Sequence, residues 1–259
     1  MIVVKFGGNA LAQSSENSWL DLVAAYQKSG KNVVIVHGGG PQIDEELSLH
    51  GISRHFVEGF RFTDAETMNV VEMVLVSIAQ GLVRDLRARG VKAVSVSGSD
   101  GGLFEVSKRK SPSGLELGQV GEVRSVDIKL LEALLAEGFL PIVSSVSSTS
   151  EGLGINVNAD LAAGALAGAL SAEKVIFMTD VKGIYRKFPE ESSLINVCSK
   201  EEIAQLLPNL SEGMIPKVEA VIQALNLGAK GAQVIDGRTA EALSRALNDE
   251  PVGTLVHND

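Results

Sequence analysis

The chain has 259 residues, 45% of them hydrophobic and 4% aromatic, enough for one large core and close to the size at which chains divide. A formal net charge of −9 argues against a nucleic-acid surface, which needs a basic face, but not against an anionic small molecule that answers to a local field. The single Cys198 has no internal disulfide partner, the apolar runs are interrupted at Glu72 and Glu137 short of a membrane span, and no basic leader precedes the first strand, so a soluble cytoplasmic protein is expected.

Residues 1–6 read as an apolar strand broken by Lys5 and followed by Gly7 and Gly8. An ammonium at the end of a buried strand is costly to desolvate without an anion beside it. Lys5 is either a snorkelling edge residue or a cation aimed into the crevice at the carboxyl ends of parallel strands, and the glycine turn behind it favours the second. Residues 19–28 carry the incomplete apolar face of a helix, with Leu20, Val23, Ala24 and Tyr26.

Val33 to Val36 form a run too short and too β-branched for a buried helix, and it reads as a parallel strand ended by His37. Gly38, Gly39 and Gly40 follow, and Pro41 opens a helix through Leu49, because a proline in the first turn gives up an N–H that has no intrahelical partner. Three glycines remove every Cβ from the turn, so backbone N–H groups can close on a phosphate or carboxylate at a helix N-terminus. The competing interpretation is a tight connection and nothing more. No GxxxxGK[ST] and no GxGxxG occurs, so phosphate chemistry would have to be organised in another way.

Residues 51–63 place Arg54, His55 and Arg61 among Phe56, Phe60 and Phe62, which suggests a hairpin or Ω-loop over the sheet edge. Arg61, held between aromatics, suits bidentate binding of a carboxylate, and a surface arginine packed on rings fits this segment equally well. Thr63 or Asp64 caps a helix to about Arg89. Its stripe is Met68, Val71, Val74, Leu75, Ile78 and Leu82, and Val70, Met73 and Val76 leave a second apolar flank that favours a subunit interface.

Residues 91–96 read as a strand and 103–123 as a hairpin around Ser111-Pro112-Ser113-Gly114, whose Lys108-Arg109-Lys110 cluster reads as a solvated tip. A helix over 127–137, a strand over 139–143 and a serine-rich loop over 144–150 come next. Asn156 and Asn158, two apart in extended chain, face one way, and Asn158 is also a natural N-cap for the helix 161–170. Asp160 lies in that helix's first turn, ionised, either as a dipole partner or as an anchor for cations. A strand over 174–178 ends in a turn from Thr179 to Tyr185. Lys217 falls in the first turn of a helix running to Leu227, where the dipole disfavours a cation and a functional use is the better explanation. A short helix over 199–206, a strand over 232–235, a helix from Arg238 and a strand over 253–256 complete the pattern. His37, His50, His55, His257 and Cys198 are assigned no role.

Five motifs, in this order, resemble the amino-acid kinase family over essentially the whole chain: Lys5-Phe6-Gly7-Gly8-Asn9, His37-Gly38-Gly39-Gly40-Pro41-Gln42, Gly59-Phe60-Arg61-Phe62-Thr63, Asn156-Val157-Asn158-Ala159-Asp160 and Gly213-Met214-Ile215-Pro216-Lys217. The resemblance implies an α/β fold, a three-layer α/β/α sandwich with a mostly parallel central sheet. It implies a single domain, with residues 1 to about 170 holding the acceptor and 171–259 the nucleotide. By the same likeness Lys5 and Lys217 face the phosphoryl group in flight and Asp160 orients both. Gly8, Gly39 and Gly40 donate backbone N–H groups to phosphoryl and substrate, while Arg61, Asn156 and Asn158 hold the substrate's carboxylate and acyl ends. Thr179, Asp180, Gly183, Ile184 and Tyr185, with Ser211 and Gly213, form the nucleotide loops.

The implied reaction is ATP-dependent phosphorylation of the γ-carboxylate of N-acetyl-L-glutamate, with Mg²⁺ carried on the nucleotide phosphates and no protein metal ligands. A carboxylate nucleophile is already ionised at neutral pH, so no general base is required. Two departures from the family pattern stand out. Val146-Ser147-Ser148 lacks a glycine often found there, and Lys5 is only the fifth residue, whereas arginine-inhibited members carry an extra helix before the first strand. A homodimer without arginine feedback is therefore expected. A kinase for carrier-bound aminoadipate and a non-catalytic sensor on the same fold remain the alternatives.

Overall fold

The computed structural model describes residues 1–7, 18–210 and 214–258. In the first half of the chain, β1 (Ile2–Phe6), α1 (Ser18–Lys28), β2 (Val33–His37) and α2 (Gly40–Leu49) lead into a small hairpin of β3 (Phe56–Val57) and β4 (Phe60–Arg61). The long helix α3 (Ala65–Ala88), β5 (Ala93–Ser97), the ribbon β6 (Phe104–Lys110) and β7 (Glu116–Val126), and α4 (Lys129–Ala136) follow. Next come β8 (Leu140–Ser144), β9 (Val146–Ser148), β10 (Gly154–Val157) and α5 (Ala159–Ala169). The remainder is β11 (Lys174–Thr179), β12 (Ile184–Tyr185), β13 (Leu194–Ile195), β14 (Val197–Ser199), α6 (Lys200–Leu206), α7 (Ile215–Asn226), β15 (Gly231–Asp236), α8 (Ala240–Leu247) and β16 (Thr254–His257).

Eight strands form the central sheet in the order β14-β16-β15-β11-β1-β2-β8-β5, every neighbour parallel except β15 and β16. Period-two alternation sorts its side chains between two cores. Val3, Val34, Val36, Val143, Val175 and Phe177 face α5 and α7, while Ile2, Val4, Ile35, Ile176 and Met178 face α1, α3 and α8. The sandwich is thus the three-layer α/β/α arrangement that the family resemblance implied. Chain order reverses direction across the sheet at β1, which lies between β11 and β2; ligand crevices open at such points, beyond the carboxyl ends of the strands.

A second sheet has the strand order β6-β7-β10-β9. It corrects two expectations. The serine-rich segment 144–150 is not simply a loop, because Val146–Ser148 pairs with Gly154–Asn156 and Ser147 Oγ donates to the Phe104 carbonyl at 3.0 Å. Bonded in that way, a serine hydroxyl stops competing with the ladder and strand geometry is available to it. Arg109 does not sit at a solvated tip: its guanidinium stacks 4.5 Å from the Phe60 ring centroid.

Helix α3 starts as anticipated, Asp64 accepting the Thr67 N–H at 2.8 Å. It is the one helix among the described residues long and apolar enough to cross a membrane by length and composition, Glu72 notwithstanding. Its main stripe is packed in the cores, and Met73 and Val76 stand about half exposed on the second flank, at 52% and 51%.

Helices α5 and α7 meet closely through two glycines one turn apart. A Cβ on Gly164 would fall 2.4 Å from the Ala220 carbonyl oxygen, and one on Gly168 would fall 2.2 Å from Leu227 Cβ. Backbone cannot yield as a flexible side-chain end can, so Gly164→Val should cost about 2–3 kcal/mol through overpacking. Urea unfolding should show a lowered midpoint with unchanged slope, and an unaltered midpoint would mean that the helices separate freely.

Candidate active site

Lys5 follows Val3 in the alternation of β1 and therefore points toward α5, with Val36 and Phe177 as its register partners. It is only 6% exposed, and its Nζ lies 2.6 Å from Asp160 Oδ1. Asp160 is held in place by the start of α5, where Asn158 Oδ1 accepts the N–H groups of Asp160 and Leu161 at 2.9 and 3.2 Å. From the neighbouring helix, Lys217 Nζ reaches the other carboxylate oxygen, Oδ2, at 3.4 Å. Two lysines separated by most of the chain meet at one carboxylate. Burial by itself would raise the Asp160 pKa; the fields of Lys5 and then Lys217, with their hydrogen bonds, outweigh it and hold the carboxyl below the ordinary aspartate value.

Two cavities open beside this triad and share Lys5, Gly40, Phe56 and Arg61 in their walls. The first, about 230 Å³, is lined by Gly38, Gly39 and Gly40, by Ile43, Leu75, Phe60 and Val120, and by Ser145, Asn156 and Asn158. The second, about 320 Å³, is lined by Gly7, Pro41, Asp44, Met178, Thr179, Asp180 and Lys217. At the floor of the first, α2 starts with no side-chain cap, and Pro41 sits in its opening turn. The two glycines stand in different surroundings. A Cβ on Gly39 would strike Ile78 Cδ1 at 2.6 Å, whereas one on Gly40 would meet nothing within 4 Å and would instead occupy space open to a ligand.

Arg61 closes one side of both cavities. Its Nη1 lies 2.6 Å from Asp44 Oδ1, its Nη2 is 3.4 Å from the Gly40 carbonyl, and its guanidinium stacks on Phe56 at 4.8 Å. Asn156 Nδ2 donates to Thr63 Oγ1 at 3.1 Å, whose hydroxyl donates to the Arg61 carbonyl at 2.9 Å, so Asn156 and Arg61 belong to one framework. The amide oxygen of Asn156 and the amide nitrogen of Asn158 are the groups these bonds leave available.

Other expected site residues lie further out. The Thr179 hydroxyl is committed to the turn, donating to the Val181 carbonyl at 3.0 Å, and Asp180 is exposed at the second cavity. Gly183, Ile184 and Tyr185 are buried, Ile184 donating its N–H to Thr254 Oγ1 at 2.8 Å, and none of them lines either cavity. Gly8, Ser211 and Gly213 lie outside the described residues.

Two polar residues in the cavity walls were not singled out from the sequence. Asp44 stands one helical turn after Gly40, a spacing that puts both on one face of α2. Ser145 directly follows the end of β8, where the strand-end rule applies, while Gly38 belongs to the expected glycine turn and Gly7 to the turn behind Lys5.

The amino acid kinase family matches residues 1–236. The chain is 40% identical to an acetylglutamate kinase of Corynebacterium jeikeium, covering 99% of this chain and 83% of that protein. It is 41% identical to one of Salinispora tropica, covering 98% and 88%. Among solved structures, a Streptococcus mutans protein superposes with a TM-score of 0.83 at 27% identity, covering 100% of this chain and 98% of its own.

His37, beside the glycine turn, is fully buried with Nδ1 3.3 Å from the Gly38 carbonyl, and its pKa is lowered to about 4, chiefly by burial, with the Gly38 bond opposing and the field of Lys5 assisting. The folded protein therefore resists a proton that the unfolded chain accepts below its ordinary value of 6.5. Stability should fall as pH drops from 6.5 toward 4, by up to about 3 kcal/mol from this group. The imidazole carbon proton followed by NMR should keep its neutral position through pH 6.5 and shift only as the pH nears 4. Titration near 6.5 would contradict the burial described.

Proposed function

The chain belongs to the amino acid kinase family, and we propose that it transfers the γ-phosphoryl group of ATP to the γ-carboxylate of N-acetyl-L-glutamate, forming an acyl phosphate in arginine biosynthesis. The observation that carries the reading is the convergence of Lys5 and Lys217 on Asp160 between two adjoining cavities, one for each substrate. The first cavity, with its uncapped helix start, Arg61 and two asparagines, has the donors an acylated dicarboxylate needs. Arg61 holds the α-carboxylate, Asn156 and Asn158 the acyl amide, and Gly39 and Gly40 the reacting end.

The second cavity takes the nucleotide phosphates beside Gly7, Lys217 and the Thr179–Asp180 turn. By family likeness alone, a phosphoryl contact is assigned to Gly8 and nucleotide contacts to Gly183, Ile184, Tyr185, Ser211 and Gly213. Among the described residues no three His, Cys, Asp or Glu side chains gather to bind a metal ion. Magnesium bound to the phosphates would neutralise their charge and fix their geometry.

The carboxylate oxygen attacks the γ-phosphorus in line as the bond to the β-phosphate oxygen breaks, and ADP leaves. Negative charge spreads over the equatorial oxygens between the two lysines, which meet it without reorganising because Asp160 already holds them. Asp160, ionised by the same lysines, is a positioning anion and not a base. The reading extends to a cytoplasmic homodimer in which the exposed flank of α3 at Met73 and Val76 packs on its copy.

With ATP, magnesium and N-acetyl-L-glutamate, hydroxylamine should trap the product as a hydroxamate. Lys217→Ala should lower kcat about 10²–10³-fold with little change in the affinity for a non-hydrolysable ATP analogue. Full turnover in that variant would remove Lys217 from the chemistry.

A further inference from the structure

Arg109 occupies a break in the β6–β7 ladder, where the register shifts between Lys108 and Lys110. Such an irregularity re-aims the side chain it carries. Its neighbour Lys110 has a side chain 63% accessible, and that of Arg109 is 18% accessible. The guanidinium lies over Phe60, 4.5 Å from the ring centroid, and its Nη2 is 3.7 Å from Glu219 Oε2. Phe60 lines the acceptor cavity and precedes Arg61 in the hairpin that closes it. Glu219 sits on α7, the helix that presents Lys217 to Asp160. Residues two apart on a helix face different ways, so Asp160 and Arg109 grip α7 from different sides.

One guanidinium therefore touches the roof over the acceptor and the helix bearing the phosphoryl-facing lysine. We infer that Arg109 is a positioning residue that couples closure of the Phe60–Arg61 hairpin over the acceptor to the placement of α7 on the nucleotide side. The inference rests on the assignment of the two cavities to acceptor and nucleotide. A planar cation is suited to the task because it can stack on a ring and pair with a carboxylate at once, whereas a lysine can do only one of these well. Because coupling between sites is reciprocal, acceptor binding should tighten nucleotide binding by the factor by which nucleotide tightens the acceptor.

The test measures the affinity of the full chain for AMP-PNP with magnesium, in the absence and presence of N-acetyl-L-glutamate. Arg109→Met keeps an aliphatic stem over Phe60 without the charge, and Glu219→Gln removes the other half of the pair. Each should reduce the coupling ratio about three- to fivefold, the scale of a partly exposed ion pair. The two losses should not add, and Arg109→Glu with Glu219→Arg should restore part of the coupling, while the unfolding midpoint of Glu219→Gln stays at the wild-type value. A ratio unchanged in both single variants, or losses that simply add, overturns the inference.

If Arg109→Met does not fold, Glu219→Gln carries the test alone. Absence of N-acetyl-L-glutamate binding by the wild-type chain would refute the acceptor assignment instead. Coupling is then read from amide exchange of residues 56–61, which AMP-PNP should slow in the wild type but not in Glu219→Gln. Equal protection in both overturns the role of Arg109.

Discussion

An ionised carboxylate between two ammonium groups is the constraint on which the rest of this structure depends. Lys5 is buried in the middle of the sheet, where an isolated charge would shed its proton or unfold the strand, and the Asp160 oxygen at 2.6 Å is what permits it to stay. Asp160 is ionised for the complementary reason, since the two lysines reverse the effect of its burial. An arrangement of this kind is a poor source of stability, because a packed apolar trio would do as well or better. In the proposed reaction its use is a fixed positive field beside two cavities, set up in folding, where negative charge would develop during transfer.

The scaffold serves that arrangement at each level. Strand alternation aims Lys5 at α5 rather than at the opposite helical layer. Gly164 and Gly168 let α7 lie against α5 closely enough for Lys217 to reach the same carboxylate. The second sheet brings Asn156 to the first cavity and supports the hairpin that carries Arg61. The geometry of the triad is set by backbone packing, with side chains reaching only the last few ångströms.

How much of this was legible in the sequence follows from whether the signal was local. Lys5 in an apolar strand, Lys217 in a first helical turn, three glycines before Pro41 and the Asn158 cap all violate or fulfil a local rule, and each stands at the site. The sandwich was expected from the family resemblance, and the alternating strand and helix patterns agree with it because they suit a parallel sheet with helices on both faces. Arg109 was misread because its surroundings are not local: within a basic triplet it looks solvated, and its partners are Phe60 and Glu219, far off in the chain. Asp44 stayed hidden because an acidic residue on a helix ordinarily faces water, and only the fold sets it against Arg61. The segment 144–150 was read as a loop from serine content, when hydroxyl bonding to a neighbouring strand decides its conformation.

The central claim is that the lysines keep Asp160 ionised and Asp160 keeps them converged. The most direct measurement is the carbon-13 titration of the Asp160 carboxyl in the wild type and in a variant carrying Lys5→Met and Lys217→Met. The account predicts a wild-type carboxyl that ionises below the ordinary aspartate range, and a variant in which burial, now unopposed, drives the transition well above that range. The same titration curve in both proteins would contradict it.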